Sequence, residues 1–315
     1  DNVEGIVPEF LTMLKGVIDS PDIPLNVSRS YLQADGNVKK ISSYITRKVA
    51  DKLKSLFTNN REDFQNKWND IKIVLEYGML TDEKFYEKAN DFVLYPTTEG
   101  QYYTLSELKE AIKANQTDKN DTLVVLYAQN KEQQYTAIEE AKAKGYQVLL
   151  LDSPIVSHLI QKLEEKNEKL TFARVDAAPL SKLIQKDEPI LAKHSEEEKN
   201  TLKADIEKVL PKEGYMVQME DLDSDDTPFV INQPEFMRRM KEMSATGGGG
   251  MFGAFPEMYH VVVNANSPLA DAILAADEAA KEKLIKQAFD LARLSQGLLK
   301  GKELSEFVKR NWEIC

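Results

Sequence analysis

Apolar positions in the first third of the chain recur at helical spacing. Between residues 38 and 57 they fall at positions 38, 41, 45, 49, 53 and 56, which places them on one face of a helix. A second helical stretch covers about 61–77, and a third begins at Thr81 and Asp82, two residues suited to cap a helix. The pattern predicts a small antiparallel helical packet.

Residues 92–175 alternate between strand-like and helical patterns. The short apolar runs "DFVLYP", "TLVVLYA", "YQVLLLD" and "LTFARVD" are separated by amphipathic helices. One helix opens with Thr104 and Glu107 in capping-box spacing, another ends at Gly145, and a third has a proline in its first turn. Strands that alternate with helices of this length predict a parallel sheet covered on both faces.

Such a sheet raises the question of a nucleotide site at its strand ends. The sequence contains neither G-x-G-x-x-G nor G-x-x-x-x-G-K-[ST], and "TLVVLYA" is followed by "QNKEQQ", which has no glycine. We therefore interpret the unit as a packing module. An ordinary α/β enzyme with a small-molecule site at these strand ends remains the alternative.

The remaining chain has strands first and long helices last. A charged connector leads to a polar helix at about 196–210, and three strand candidates follow, "GYMVQMEDL", "PFVINQ" and "MYHVVVNA". Two long apolar helices close the chain, and the first is expected to break near Asp277. Runs of strands followed by runs of helices predict an α+β domain.

The two closing helices carry an apolar stripe that needs a partner. It includes Leu284, Ile285, Phe289, Leu291, Leu294, Leu298 and Leu299 on the first helix and Leu304, Phe307, Val308 and Trp312 on the second. Either the stripe packs on its own domain, or two copies of the chain pair as a symmetric four-helix bundle.

Seven of the nine methionines fall between residues 216 and 258. Met237, Met240 and Met243 repeat every three residues beside Phe236, on a short helix whose other edge carries two arginines and a lysine. Four consecutive glycines, at 247–250, then precede "MFGAF". One interpretation is that the methionines belong to the core and the glycines to a flexible loop. The other is that they form an adaptable hydrophobic binding surface, since methionine is flexible and polarisable.

Charge and composition narrow the function classes. The chain has 315 residues, a net charge of −11, 42% hydrophobic and 30% charged residues. Acidity argues against a general nucleic-acid binder, and the basic stretch "VKKISSYITRKVADKLK" reads as a solvated helix face. Apolar runs are too short for a membrane helix, and the first residues have no signal-peptide pattern, so we expect the chain to begin inside a longer protein.

Metal and nucleophile chemistry find no support in the residue pattern. Cys315 is the only cysteine, which favours a reducing cytoplasm. The histidines, His158, His194 and His260, are not in metal-ligand spacing, and there is no G-x-S-x-G. We therefore expect no metal site.

A segment near the start places a cation beside an extended loop. In "PDIPLNVSRSYLQADG" two prolines hold the chain extended before Arg29 and Gln33, which lie four residues apart at an apparent helix start. Composition alone gives Arg29 no partner.

Several motifs together resemble those of the ninety-kilodalton heat-shock chaperone family in its bacterial form. The stretch "GIVPEFLTMLKGVIDSPDIPLNVSRSYLQ" resembles its middle-domain signature, and "PFVINQPEFMRRM", the Gly/Met loop and "SPL" continue the similarity over essentially the whole chain. The family's amino-terminal ATP-binding domain is not represented. There is no acidic Met-Glu-Glu-Val-Asp tail, which favours a bacterial or organellar form without tail-binding cochaperones.

The resemblance implies an α+β multi-domain architecture. Its parts are the end of a large αβα middle subdomain with the catalytic loop (1–42), a helical packet (43–91), a small αβα sandwich (92–190) and an α+β C-terminal dimerisation domain (191–315). It also implies a cytoplasmic homodimer that binds unfolded or partly folded client proteins and docks its own N-terminal ATPase domain, without nucleic acid or membrane. ATP with magnesium would be the cofactor of the intact protein, and the present chain alone would hold no cofactor and hydrolyse no ATP.

Residue roles carried over from the family follow. Arg29 would contact the γ-phosphate of ATP, and Gln33 and Asn26 would support its loop. The client surface would comprise Phe236, Met237, Met240, Met243, Met251, Phe252 and Phe255. The dimer interface would comprise Leu284, Phe289, Leu294, Leu298, Leu299, Leu304, Phe307, Val308 and Trp312. A purely structural dimerisation module is the second alternative function.

Overall fold

The computed structural model describes residues 6–13, 36–188, 190–234, 236–241 and 258–312. It divides into two compact units: residues 1–111 with 153–166, and residues 112–152 with 167–315. The mixed helix and strand content agrees with the predicted α+β class. The four-part domain division is finer than this split and remains a prediction.

Helices predominate among the described elements. In chain order they are α1 Gly36–Asn59, α2 Arg61–Asn66, α3 Trp68–Thr81, α4 Glu83–Ala89, α5 Leu105–Gln116, α6 Tyr135–Ala143, α7 Val156–Lys166, α8 Leu180–Leu183, α9 Glu196–Val209, α10 Pro268–Ala275, α11 Glu278–Ser295 and α12 Gly301–Trp312. The strands are β1 Tyr95–Pro96, β2 Tyr102–Tyr103, β3 Leu123–Ala128, β4 Val148–Leu150, β5 Leu170–Arg174, β6 Tyr215–Glu220, β7 Phe229–Asn232 and β8 Tyr259–Asn264. Residues 236–241 are also helical.

Side-chain caps set the helix boundaries of the first unit. Asn60 caps α2 by accepting from the backbone N–H of Asp63, and Asp82 caps α4 by accepting from that of Phe85. The cap at Asp82 confirms the signal read from the sequence. The single helix predicted over 61–77 is wrong, because the chain leaves regular helix at Lys67 and two helices, α2 and α3, replace it.

Aromatic packing forms the interior of the first unit. The rings of Phe10 and Phe85 lie 4.7 Å apart, Phe64 meets Phe92 edge to face at 6.4 Å, and Trp68 is 1% exposed. Edge-to-face and tilted contacts suit the charge distribution of aromatic rings, so this cluster stabilises the helical packet beyond simple burial.

The first strand prediction for the alternating region needs correction. "DFVLYP" was expected to join a parallel sheet, but only Tyr95–Pro96 is extended, and it pairs antiparallel with Tyr102–Tyr103. A proline at its end and a tight turn through Gly100, at φ +82°, favour a short hairpin instead. The capping box of Thr104 and Glu107 is confirmed, with hydrogen bonds of 2.8 and 3.3 Å.

Glu107 also joins α5 to α2. Arg61 donates to both carboxylate oxygens of Glu107, at 2.6 and 2.7 Å, and to the carbonyl oxygen of Tyr102 at 2.9 Å. The guanidinium of Arg61 is the main cause that lowers the pKa of Glu107 to about 2. A forked pair of this kind fixes the angle between two elements.

A three-stranded parallel sheet begins the second unit. Its order is β4-β3-β5, and Leu126 of the central strand lies opposite Val148 and Ala173. Helices α6 and α8 cover one face through buried Ile138, Ala141 and Leu180. Gly145, at φ +76°, ends α6 as predicted.

A second sheet carries the C-terminal part, with order β6-β8-β7. The central strand β8 pairs parallel with β6 and antiparallel with β7, and Val261 and Val263 are fully buried. Helices α9, α10 and α11 pack against it through Leu202, Ile273, Ile285 and Phe289, which belong to a hydrophobic cluster separate from that of the first sheet. All three strands follow the sequence prediction.

Three N-caps position those helices. Ser195 forms a full capping box with Glu198 at the start of α9. Ser267 caps α10, whose first residue is a proline, and Asp277 caps α11, which confirms the predicted break near Asp277. Among the described helices, none has the length and apolar content that crossing a bilayer requires.

Substituting Gly78 tests the aromatic packing of the first unit. A methyl group there would lie 2.6 Å from Cδ2 of Phe10 and 2.9 Å from Cδ1 of Phe85. Overpacking costs about 1–3 kcal/mol, more than the roughly 0.5–1 kcal/mol that alanine gains over glycine within a helix. We expect Gly78→Ala to lower the urea midpoint. The control Ser43→Ala, at an exposed position of α1, should leave the midpoint unchanged or slightly raised. A raised midpoint for Gly78→Ala would contradict this packing.

Candidate functional site

Some predicted site residues lie outside the described part of the chain. These are Asn26, Arg29 and Gln33 of the expected catalytic loop and Met243, Met251, Phe252 and Phe255 of the expected client surface. Their roles stay predictions from the family resemblance.

The hairpin of α11 and α12 has a defined turn. The N–H of Leu298 donates to the carbonyl oxygen of Arg293 at 2.9 Å, and the N–H of Gly297 donates to that of Leu294 at 3.0 Å. These two bonds form a Schellman motif, with Gly297 at φ +64° in the left-handed region that favours glycine. The turn therefore fixes where α12 begins relative to α11.

Charged and amide side chains connect the two helices along one side. Arg293 of α11 bonds Glu303 of α12 at 2.5 Å, and Arg310 of α12 bonds Asp290 of α11 at 2.8 Å. Arg293 is the main cause that lowers the pKa of Glu303. The hairpin is thus held together within one chain.

The other side of the hairpin leaves large apolar side chains exposed. Leu291 is 49% exposed, Leu294 41%, Val308 43% and Trp312 75%. We call these four residues the hairpin edge. Large exposed apolar groups that recur on neighbouring helices make this edge a candidate contact surface.

The nine predicted interface residues divide into three groups. Leu294, Val308 and Trp312 belong to the hairpin edge, whereas Phe289, Leu299 and Phe307 are buried within the chain and Leu284, Leu298 and Leu304 are half-buried. Sequence periodicity marked the whole stripe but could not separate its two faces. The periodic stripe includes Leu291, but the interface expected from the family resemblance does not, although Leu291 is as exposed as its neighbours.

The helical residues 236–241 attach to the first sheet through arginines. Arg238 is 6% exposed and donates to the hydroxyl of Tyr127 at 2.6 Å, and Arg239 donates to the carbonyl oxygen of Phe172 at 2.7 Å. Phe236 is 73% exposed, and Met237 and Met240 are half-buried. The arginines therefore anchor the segment, and Phe236 is presented outward.

A cavity lies near the carboxyl ends of β3 and β5, where an α/β protein usually binds a ligand. Its described lining includes the carboxylates of Glu140, Asp176 and Asp226 and contains no lysine, arginine or histidine. Asp176 and Asp226 already bind Arg174 and Lys144. Such a lining does not suit a phosphate group, which needs cationic or N–H donors.

The described part of the chain is a mixed α+β protein in which α11 and α12 form a helical hairpin with an apolar edge. The sequence model of the Hsp90 protein family matches residues 1–311, so the chain belongs to the Hsp90 family. This confirms the resemblance stated from its motifs.

Three relatives give the degree of similarity. The Chaperone protein htpG of Bacteroides fragilis is 40% identical over an alignment 383 positions long, covering 100% of the chain and 56% of that protein. The Chaperone protein HtpG of Porphyromonas gingivalis is 47% identical over 286 residues, covering 90% and 42%. That of Bdellovibrio bacteriovorus is 25% identical over 304 residues, covering 93% and 47%. The chain spans about half the length of these relatives.

Proposed function

We propose that the chain is the middle and C-terminal part of an ATP-dependent, homodimeric molecular chaperone that binds non-native proteins in the cytoplasm. Membership of the Hsp90 family and relatives that bear the name chaperone protein HtpG support the class. The hairpin edge is the single structural observation that carries the proposal, because it is an apolar surface held in place by the chain's own turn and ion pairs.

Pairing of two hairpin edges supplies the dimer. In a two-fold bundle the same patch faces itself, so α11 and α12 of one protomer pack against α12 and α11 of its partner. Burial of a large apolar side chain contributes about 1.5–3 kcal/mol, so a few such groups per protomer are sufficient for a stable contact. Leu284, Leu298 and Leu304 would line the margin of this contact, and Phe289, Leu299 and Phe307 would support it from beneath.

Client binding is assigned to Phe236 and the methionines around it. Phe236 is exposed on a segment whose arginines bond the β4-β3-β5 sheet, so the backbone that carries this aromatic ring is held in place. Unfolded proteins expose apolar side chains of many shapes, and methionine adapts to such surfaces. Met237 and Met240, with Met243, Met251, Phe252 and Phe255 beyond the described residues, complete the proposed surface.

ATP hydrolysis belongs to the intact protein in this proposal. Arg29 would contact the γ-phosphate of an ATP·Mg bound by the N-terminal domain, with Gln33 and Asn26 orienting its loop. A guanidinium matches phosphate oxygens in charge and geometry, and its value is greatest while charge develops in the transition state. The α/β-enzyme alternative is disfavoured by the acidic lining of the cavity at the strand ends.

Charge placed on the hairpin edge should separate the dimer. Leu294→Glu and Trp312→Glu put carboxylates where two apolar edges would meet, so both variants should sediment as monomers while the parent sediments as a dimer. The matched control Ile73→Glu alters another exposed apolar residue, 47% exposed, in the other compact unit and should remain dimeric. A monomeric parent, or dimeric edge variants, would refute the interface.

Removal of the exposed ring at Phe236 should weaken client holding. We expect Phe236→Ser to suppress aggregation of a heat-unfolded reporter enzyme about fivefold less well, a loss of about 1 kcal/mol that only a minority of contact residues exceed. The control Tyr135→Ser removes another exposed aromatic ring, 57% exposed, and should have no effect. Equal suppression by both variants and the parent would favour the purely structural dimerisation module.

Arg29→Ala in the intact protein should lower the ATPase rate on the order of 100-fold, the loss expected when one donor to a transition-state anion is removed. Nucleotide affinity should stay nearly unchanged, because the pocket that binds ATP would lie in the N-terminal domain. Arg47→Ala, on the exposed face of α1, is the charge-matched control. Unchanged turnover in Arg29→Ala would remove Arg29 from the active site.

A further inference from the structure

The connection between β6 and β7 is an acidic loop, residues 221–228, with the sequence "DLDSDDTP". Its backbone is fixed from the inside by the neighbouring sheet. Asn264, fully buried, donates to the carbonyl oxygen of Asp223 at 2.7 Å, and Asn266 donates to that of Leu222 at 3.0 Å. A further bond within the loop, from the N–H of Asp226 to the carbonyl oxygen of Asp223, is 3.0 Å long. The acidic loop is therefore a rigid projection of the β6-β8-β7 sheet.

The outer side of the acidic loop meets the helices that cover the other sheet. Lys144, at the end of α6, lies 2.8 Å from Oδ1 of Asp226 and 3.2 Å from Oδ2 of Asp223. Ser181 of α8 donates to Oδ2 of Asp226 at 2.5 Å, and Thr227 donates to Oε1 of Glu140 at 2.8 Å. Two helices and one loop thus converge on a single carboxylate.

Asp226 is the buried centre of this contact. Its side chain is 4% exposed, against 31% for Lys144 and 54% for Asp223. Burial would lower the pKa of Lys144, but its hydrogen bonds with Asp226 and Asp223 raise that pKa above the usual value. A buried carboxylate is destabilising once it loses a hydrogen-bonding or charged partner, because its charge is then uncompensated.

The junction around the acidic loop has further polar contacts, beside a cavity that apolar residues of both layers, Leu180 and Phe229 among them, also line. Lys182 pairs with Glu220, and Asn232 donates to the carbonyl oxygen of Ala177. The buried apolar residues of the two sheets form separate clusters, and the cavity beside Asp226 lies between them. Separation of the two layers would therefore break polar contacts and expose the apolar residues that line the cavity, while the residues of each hydrophobic cluster stay together within one layer.

We propose that the acidic loop is a latch, centred on Asp226, that holds the β4-β3-β5 layer against the β6-β8-β7 layer and opens as a unit while both hydrophobic clusters stay intact. Release moves the two layers relative to each other without unfolding either of them. Because the closing contacts are ionic, high salt weakens the latch, and the exposed Asp223 pair is screened before the buried Asp226 pair.

Hydrogen exchange on the 315-residue chain tests the latch. In Asp226→Asn, amides of residues 135–146 and 222–228 should exchange on the order of tenfold faster, because the substitution leaves Lys144 without its buried charge partner. Amides in the central strands β3 and β8 should exchange as in the parent. The matched control Asp225→Asn removes the same charge from an exposed position in the same loop and should change neither set.

A double-mutant cycle with Lys144→Met separates the latch from a general loss of stability. Asp226→Asn and Lys144→Met each speed exchange at the junction, and the double variant should be no faster than the faster single variant, because both remove one interaction. Junction exchange in the parent should rise between 0.05 and 1 M salt, and this rise should be smaller in the double variant, in which the Lys182–Glu220 pair is still present. Unchanged exchange in Asp226→Asn, additive effects, or faster exchange spread over both sheets would overturn the proposal.

Discussion

Burial of strand β8 is the constraint on which the second unit depends. Val261 and Val263 are fully enclosed, with β6 on one side, β7 on the other and three helices across one face. Helix α11 packs on this buried strand along one side, through Ile285 and Phe289. Only the opposite side of α11 can therefore contact α12 and the proposed partner. The same strand ends in Asn264, whose amide fixes the acidic loop. Both proposed contact surfaces are therefore positioned from one buried strand.

Local chemistry explains which parts of the fold could be predicted from the sequence. The boundaries that rest on a single side chain were found: Asp82, Thr104 with Glu107, Gly145 and Asp277 each act where their residue type indicated. The break at Lys67 was not found, because the apolar spacing continues through it and no glycine or proline marks it. "DFVLYP" was misassigned because an apolar run of that length fits a buried strand and a buried turn equally well.

The candidate sites could also be predicted only in part, because their contacts depend on three-dimensional packing. The periodic apolar stripe on α11 and α12 indicated that these side chains are buried, but not which surface covers them. Side chains covered by the same chain and side chains covered by a partner have the same pattern in a sequence. Only three-dimensional packing separates Phe289 from Leu294. Arg238 and Arg239 also looked like a charged helix edge, yet one bonds a tyrosine and the other a carbonyl oxygen of a distant strand, contacts that arise from long-range proximity.

The Schellman turn at Gly297 has a consequence for how two chains meet. With the turn fixed by two hydrogen bonds and by ion pairs across the helices, α11 and α12 need not order themselves during the encounter. In the proposed dimer, two such hairpins would dock as rigid bodies, with association rates in the ordinary range of about 10⁵–10⁷ M⁻¹s⁻¹, and the lifetime of the complex would then be set by its dissociation rate. A glycine far from any reacting group would in this way govern how readily two subunits associate.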